Sequence, residues 1–277
     1  MIASIRNSSL ETRNSKFSVG AIVAVLYFSE GLPYGIVKEL APLYLRVEHV
    51  QLKTIGLASA VSLAWTLKFF WSPLVDAFGT YRRWIAGALV VITGSLAALA
   101  FLPSNLFYFF LGVLAIGSAT QDIAVDAFTI RATPKDLLGP VNSIRVTAYR
   151  VALMVGGGGL AALGGKTSWP IAFGAAAAIA FVILLVTMML PDDRGERTSR
   201  ANLFGDLLHW MKRPRAGILL LIVFIYRLGE FAIVTMIKPY WVDRGYSPAE
   251  IGTITSVVGV IVSVIGVIIG GWFVSRF

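Results

Sequence analysis

Eight apolar stretches, each about as long as a membrane-crossing helix and separated by short turns rich in charge or proline, constrain this chain more than any other feature. They fall near residues 17–38, 54–76, 84–103, 105–130, 138–164, 169–190, 215–241 and 248–274. A bilayer core takes about 20 apolar residues per helix. Helix is the state that pairs every backbone group within the segment, and these runs are too long for barrel strands. The expected fold class is therefore an all-α polytopic membrane protein. Composition agrees, since 57% hydrophobic and 14% charged residues lie outside the usual soluble range. The chain has no Cys and two His, His49 and His209. That excludes a disulfide framework, a Cys-ligated zinc site and a multi-His metal site, and no metal or cofactor is expected. The formal charge of +9 is spread between apolar stretches, not gathered into a basic patch with interleaved aromatics. It points to membrane topology rather than to nucleic acid.

Counted by side, fourteen Lys and Arg lie with the N-terminus, among them Arg6, Arg82, Arg83, Arg131, Arg194 and Arg213, against four on the other side: Arg46, Lys53, Lys166 and Arg244. The positive-inside rule then places the N-terminus in the cytoplasm. The first sixteen residues are polar and the first apolar run has no A-x-A-like cleavage site, so no removable signal peptide is expected. The organisation reads as an N-terminal six-helix bundle over residues 1–190, a cytoplasmic linker over 191–214, and two helices of an incomplete second bundle over 215–277. Within the linker Leu203, Phe204, Leu207, Leu208 and Met211 share one helical face. That face suits either the membrane surface or the underside of the bundle.

Two parallel matches link the segments after residues 20 and 217: Ala41-Pro42-Leu43-Tyr44 with Lys238-Pro239-Tyr240, and Thr54-Ile55-Gly56 with Glu250-Ile251-Gly252. Their offsets are 197 and 196 residues. Such a repeat, starting after six helices and a linker, resembles the two halves of a major facilitator transporter; chance likeness among apolar helices is the competing account. The resemblance implies twelve helices, of which eight are present here. The turn Ser72-Pro73-Leu74-Val75-Asp76, followed by Gly79, Arg82 and Arg83, is similar to the facilitator signature, with Ser72 where Gly is usual. Asp76, Arg82 and Arg83 are expected to act as a conformational charge lock or as a topology anchor.

Ordered motifs along nearly the whole chain resemble the AmpG-type muropeptide permeases, a bacterial branch of the major facilitators. They are Gly31-Leu32-Pro33, Leu52-Lys53-Thr54-Ile55-Gly56, the run from Leu67 to Asp76, Ser118-Ala119-Thr120-Gln121-Asp122-Ile123-Ala124-Val125-Asp126-Ala127, Tyr149-Arg150, and Tyr226-Arg227-Leu228-Gly229-Glu230. The resemblance implies proton-coupled import of disaccharide peptides, containing N-acetylglucosamine and anhydro-N-acetylmuramic acid, across the bacterial inner membrane. The Gln-Asp-Ile-Ala-Val-Asp stretch is also similar to acetyl-coenzyme A transporters, so the motif leaves the cargo open. The expected partners are a small-molecule substrate, protons and the lipid bilayer, and the sequence does not fix the oligomeric state. The four helices missing from the second half motivate an alternative, a non-transporting remnant or membrane sensor.

Ionisable residues inside a membrane are costly and mark function by default. Asp122 and Asp126 share one face of the fourth span at i, i+4 spacing. At ~1.5 Å per residue they lie ~13 and ~7 Å deep, and on the antiparallel fifth span Arg150 and Arg145 lie ~16 and ~9 Å deep. Two rungs are expected, Asp122 with Arg150 and Asp126 with Arg145, either as permanent structural pairs or as a proton relay or gate. The 197-residue offset maps Glu30 onto Arg227, which makes them cross-domain partners; Glu230, at i+3 from Arg227, competes for the same role. Arg227, Glu230 and Gln121 are the expected substrate-cavity residues, and Glu30 joins the coupling group.

The glycine run from Gly156 to Gly165 before Lys166-Thr167 is not a phosphate loop, because Leu160 stands where the first glycine is required and no strand precedes it. Its glycines, like the Gly259/Ser263 and Gly266/Gly270 pairs, suit close helix packing. Trp65, Trp71, Trp84, Trp169, Trp241 and Trp272 fall near span edges as packing or interfacial anchors. No catalytic constellation is evident, and the chain is expected not to be an enzyme.

Overall fold

The computed structural model describes residues 19–134, 137–190, 209, 211–259, 262 and 265–266. All regular structure among them is helical. Helix α1 is Val19–Val47; α2 is a chain of short pieces from Leu52–Ala58 to Ser72–Ala77; α3 is Tyr81–Phe101 and α4 Phe107–Ala132. Helix α5 is Leu138–Lys166, α6 Trp169–Met188, α7 Ala216–Asp243, and α8 begins at Pro248–Thr253 and continues through a π turn, Ile254–Val258. Successive helices run antiparallel. The side on which α1 starts is called the near side, and the side on which it ends the far side.

Among the described residues, α1, α3, α4, α5 and α6 are each long and apolar enough to cross a membrane. Helix α1 corrects the expected end near residue 38, since it continues through Lys38 and Glu39 to Val47. Those charges do not mark an interface because they are taken up inside the protein: Lys38 is buried, and Glu39 pairs with Lys238 of α7. Helix α2 is broken by 3₁₀ turns at Ser59–Ser62 and Lys68–Phe70. Ser59 and Ser62 donate their hydroxyls to the carbonyls of Gly56 and Ser59, a local bond that competes with the regular ladder and bends a helix.

Helix α3 packs between α4 and α6, while α1 packs along α5 and also touches α4 and α6. The α1–α5 contact is close because a Cβ on Gly31 would lie 2.7 Å from the Tyr149 carbonyl, and one on Gly156 2.5 Å from the Leu32 carbonyl. The buried apolar side chains fall into two groups, one on the far side around Ile36, Leu43, Leu96 and Phe173, the other on the near side around Leu26, Ile85, Val125 and Leu184. Outward, large apolar residues such as Leu57, Phe101, Ile130 and Val182 are exposed on every face. A bilayer accepts that surface, which water would not.

Helices α7 and α8 meet the first six on the far side. The α8 N-terminus is fixed by a capping box: the Ser247 hydroxyl accepts from the Glu250 backbone N–H at 3.2 Å and the Glu250 carboxylate accepts from the Ser247 N–H at 2.8 Å. The apolar face of Leu203, Phe204, Leu207 and Leu208 and the Gly266/Gly270 pair lie outside the described residues, except for Gly266 itself.

Candidate functional site

Five acidic and basic side chains from four helices, joined by a tyrosine, meet in the near-side half of the protein. Asp122 and Asp126 share one face of α4, as their spacing requires, with Asp122 buried and Asp126 half-buried. The Lys68 ammonium, carried at the start of a 3₁₀ turn in α2, forms an ion pair with Asp122. Lys68 is thus a partner of Asp122 that the sequence reading did not name; Arg150, the expected one, occupies an exposed position on α5. The rise per residue fixes depth but not azimuth, and Lys68 reaches Asp122 from α2. The second rung is present: Arg145 Nη2 lies 3.4 Å from Asp126 Oδ1. Tyr27 of α1 donates its hydroxyl to the same oxygen at 2.5 Å, and the Arg145 guanidinium covers the Tyr27 ring at 4.8 Å.

Glu30, one turn along α1 from Tyr27, is buried beside Asp122 and within hydrogen-bonding reach of its carboxyl. Its Oε2 has no hydrogen-bond partner among the described residues. Three carboxyls therefore share two cations, and the fully ionised cluster carries one excess negative charge. Gln121 is completely buried and donates from Nε2 to the Ser29 hydroxyl at 2.7 Å. It ties α4 to α1 in this conformation and leaves its Oε1 unpaired among the described residues. Arg227 and Glu230 lie on α7, but their side chains fall outside the described residues, as does any pairing of Arg227 with Glu30.

On the near-side turn Asp76 accepts from the Tyr81 hydroxyl at 2.9 Å, and the Arg131 guanidinium covers the Tyr81 ring at 4.7 Å. Arg82 and Arg83 sit in the first turn of α3, where Thr80 caps the helix by accepting from the Arg83 N–H. Tyr81 and Arg131 thus group with Asp76 at this turn.

Far-side polar contacts join the first six helices to α7. Lys238, almost wholly buried, lies 2.8 Å from Glu39 Oε2 and donates to the Gly157 carbonyl at 3.0 Å. Arg46 Nε contacts Asp243 Oδ1 at 2.5 Å. These two residues are separated by 197 positions, the offset of the internal repeat. The sequence carried that signal, since equivalent residues of opposite charge at helix ends are natural partners across a pseudo-two-fold axis. Lys68 and Lys238 were visible too, as basic residues in otherwise apolar runs.

An apolar cleft of about 850 Å³ lies elsewhere, between α1, α5 and α6, with Val25, Phe28, Thr147, Val151, Ile179 and Val182 in its walls. No ionisable side chain lines it, so the polar chemistry belongs to the α1–α2–α4–α5 cluster.

Comparison with known proteins adds three findings. The family model described as Major Facilitator Superfamily matches residues 22–277. The anhydromuropeptide permease of Escherichia coli K12 is 27% identical over 271 residues, covering 92% of this chain and 55% of that protein. A Rickettsia conorii protein whose name places it with the AmpG transporters is 25% identical over 285 residues, covering 92% of this chain and 67% of its own length. The chain thus spans little more than half the length of the Escherichia coli relative.

Proposed function

This chain belongs to the Major Facilitator Superfamily, and from that premise we propose that it serves a proton-coupled secondary transporter that imports cell-wall muropeptides across the bacterial inner membrane. In this reading residues 1–190 form one bundle, 191–214 link it to the next, and 215–277 begin the second. The basic residues of the near side face the cytoplasm. The cargo follows the name of the Escherichia coli relative.

The observation that carries the coupling step is the charge imbalance around Glu30. One proton shared between Glu30 and Asp122 makes the cluster neutral, with Lys68 and Arg145 balancing the remaining two carboxylates. Loss of that proton leaves an excess charge in a poorly hydrated region, which costs several kcal/mol unless water enters or the helices rearrange. Proton binding and release therefore bias the protein between two conformations. The far-side ion pairs and the α5–α8 contact close one mouth in the present conformation. Opening it requires Arg46–Asp243 and Glu39–Lys238 to separate, which is alternating access.

The test is uptake of labelled anhydromuropeptide into cells expressing the protein. Uptake is expected to be saturable and abolished by a protonophore. Glu30→Gln should keep substrate exchange at equal pH while losing accumulation driven by a pH gradient. Undiminished gradient-driven accumulation in Glu30→Gln would remove Glu30 from the coupling mechanism.

A further inference from the structure

The two partners of the α1–α7 ion pair differ sharply in their access to water. Glu39 Oε2 lies 2.8 Å from the Lys238 ammonium, and the lysine side chain is 4% exposed against 29% for the glutamate. Lys238 also donates to the Gly157 carbonyl of α5 at 3.0 Å. Both α1 and α5 make a π turn at this level, Ile36–Leu40 and Met154–Gly159, and the two turns pack against each other. A Cβ on Gly157 would overlap the Glu39 carboxylate, so the glycine leaves the space that the carboxylate fills. Three helices therefore build this pair inside the protein.

The other segments packed on Ile36–Leu40 bring little charge to Glu39. The α5 π turn and the α2 turn Ser59–Ser62 carry no ionisable side chain. Helix α4 carries Asp122, Asp126 and Arg131, all toward the near side. On α7, Arg227 and Glu230 stand roughly two turns or more from Lys238 in the same direction. On α1 itself, Lys38 is buried with its ammonium 5.9 Å from the centre of the Tyr34 ring, Tyr44 packs on Phe107 and Phe173, and Arg46 pairs with Asp243.

Protonating Glu39 in the closed form removes the charge that compensates an ammonium almost wholly out of water, which is strongly unfavourable. Separation of α7 from α1 relieves that penalty by letting Lys238 reach water. A proton thus binds Glu39 more tightly in the open form than in the closed one, and by linkage protons favour opening. The Arg46–Asp243 pair lacks this leverage, because both side chains are partly exposed, 26% and 35%, and water compensates either charge when the other is lost.

We propose that Glu39 is a second proton-binding site, reached from the far side, whose protonation releases Lys238 and opens the far-side mouth. The assignment rests on the proton-coupled reading and adds a direction to it. With the near side in the cytoplasm, protons of the outer medium open the mouth through which an imported solute enters. Glu39 and Glu30 stand ~14 Å apart along α1, so opening and the near-side charge balance are separate protonation steps on one helix.

Electron–electron distances between spin labels at Glu48→Cys and Arg244→Cys read this mouth in the full chain, which has no other Cys. A Glu30→Gln background takes the near-side proton out of the measurement. In that background the longer-distance component should grow about fivefold or more between about pH 8 and about pH 5. Glu39→Gln mimics the protonated carboxyl and should hold the longer component at every pH. Adding Lys238→Met removes the stranded ammonium and should return the short component, again without pH dependence; a loss of fold would not be repaired by a second substitution. A pH response that survives Glu39→Gln, or a Glu39→Gln distribution as short as that of its parent, overturns the site and leaves Glu30 to its own uptake test. A single short distance in every variant at every pH overturns the alternating-access reading as well.

Discussion

The far-side closure can be tested at one glycine. A Cβ added to Gly252 of α8 would lie 2.3 Å from the backbone nitrogen of Ala162 and 2.5 Å from the carbonyl oxygen of Gly158, both on α5. These are main-chain atoms of a packed helix, so no side-chain rotation relieves the overlap. Restoring ordinary contact requires the two helices to part locally by about 1 Å, and a gap of that size already forfeits a quarter to a half of each dispersion contact beside it. The neighbouring contact is equally tight, since a Cβ on Gly165 would meet the Ala249 nitrogen at 2.6 Å. Overpacking of this kind costs about 1–3 kcal/mol. The cost falls on the conformation in which α5 and α8 touch, so Gly252→Ala should shift the population toward the far-side-open form by about 5- to 150-fold. The chain has no Cys, so spin labels can be placed on Glu48→Cys and Arg244→Cys without background. Electron–electron distance distributions should gain a longer component in the Gly252→Ala protein. A distribution identical to that of the labelled parent, in a variant that remains monodisperse and thermally stable, would refute the claim that this contact closes the far side.

Three further outcomes follow from the same geometry. Asp122→Ala leaves the part-exposed Lys68 ammonium uncompensated and should lower the thermal midpoint, by less than the ~3–5 kcal/mol of breaking a fully buried pair; Lys68→Met combined with Asp122→Leu should recover the midpoint without recovering proton-driven uptake. Arg46 and Asp243 are partly exposed, so their pair contributes at most about 1 kcal/mol to stability; Arg46→Asp should impair uptake by repulsion across the closed mouth, and the exchange Arg46→Asp with Asp243→Arg should restore it. Ser247→Ala removes the α8 cap and should destabilise by about 1 kcal/mol, read as a small drop in thermal midpoint, and an unchanged midpoint would show that α8 does not depend on its capping box.

The sequence by itself determined the all-helical membrane class, because a run of apolar residues longer than a bilayer is thick has no other way to satisfy its backbone. It also placed Asp122 and Asp126 on one face, since i and i+4 adjacency is a property of the helix alone. Pairing between helices was legible only where depth sufficed, as for Asp126 with Arg145. Tertiary structure decided the rest. Each residue turns a helix by about 100°, so a single-residue irregularity redirects every side chain beyond it. Helix α1 contains a π turn at Ile36–Leu40, α5 one at Met154–Gly159, and α2 two 3₁₀ breaks. Those irregularities set the direction of Glu39 toward Lys238 and carry Lys68 to Asp122. The serine hydroxyls supply a local cause for the first α2 break, but which side chains the turned helices then bring together depends on the neighbouring helices.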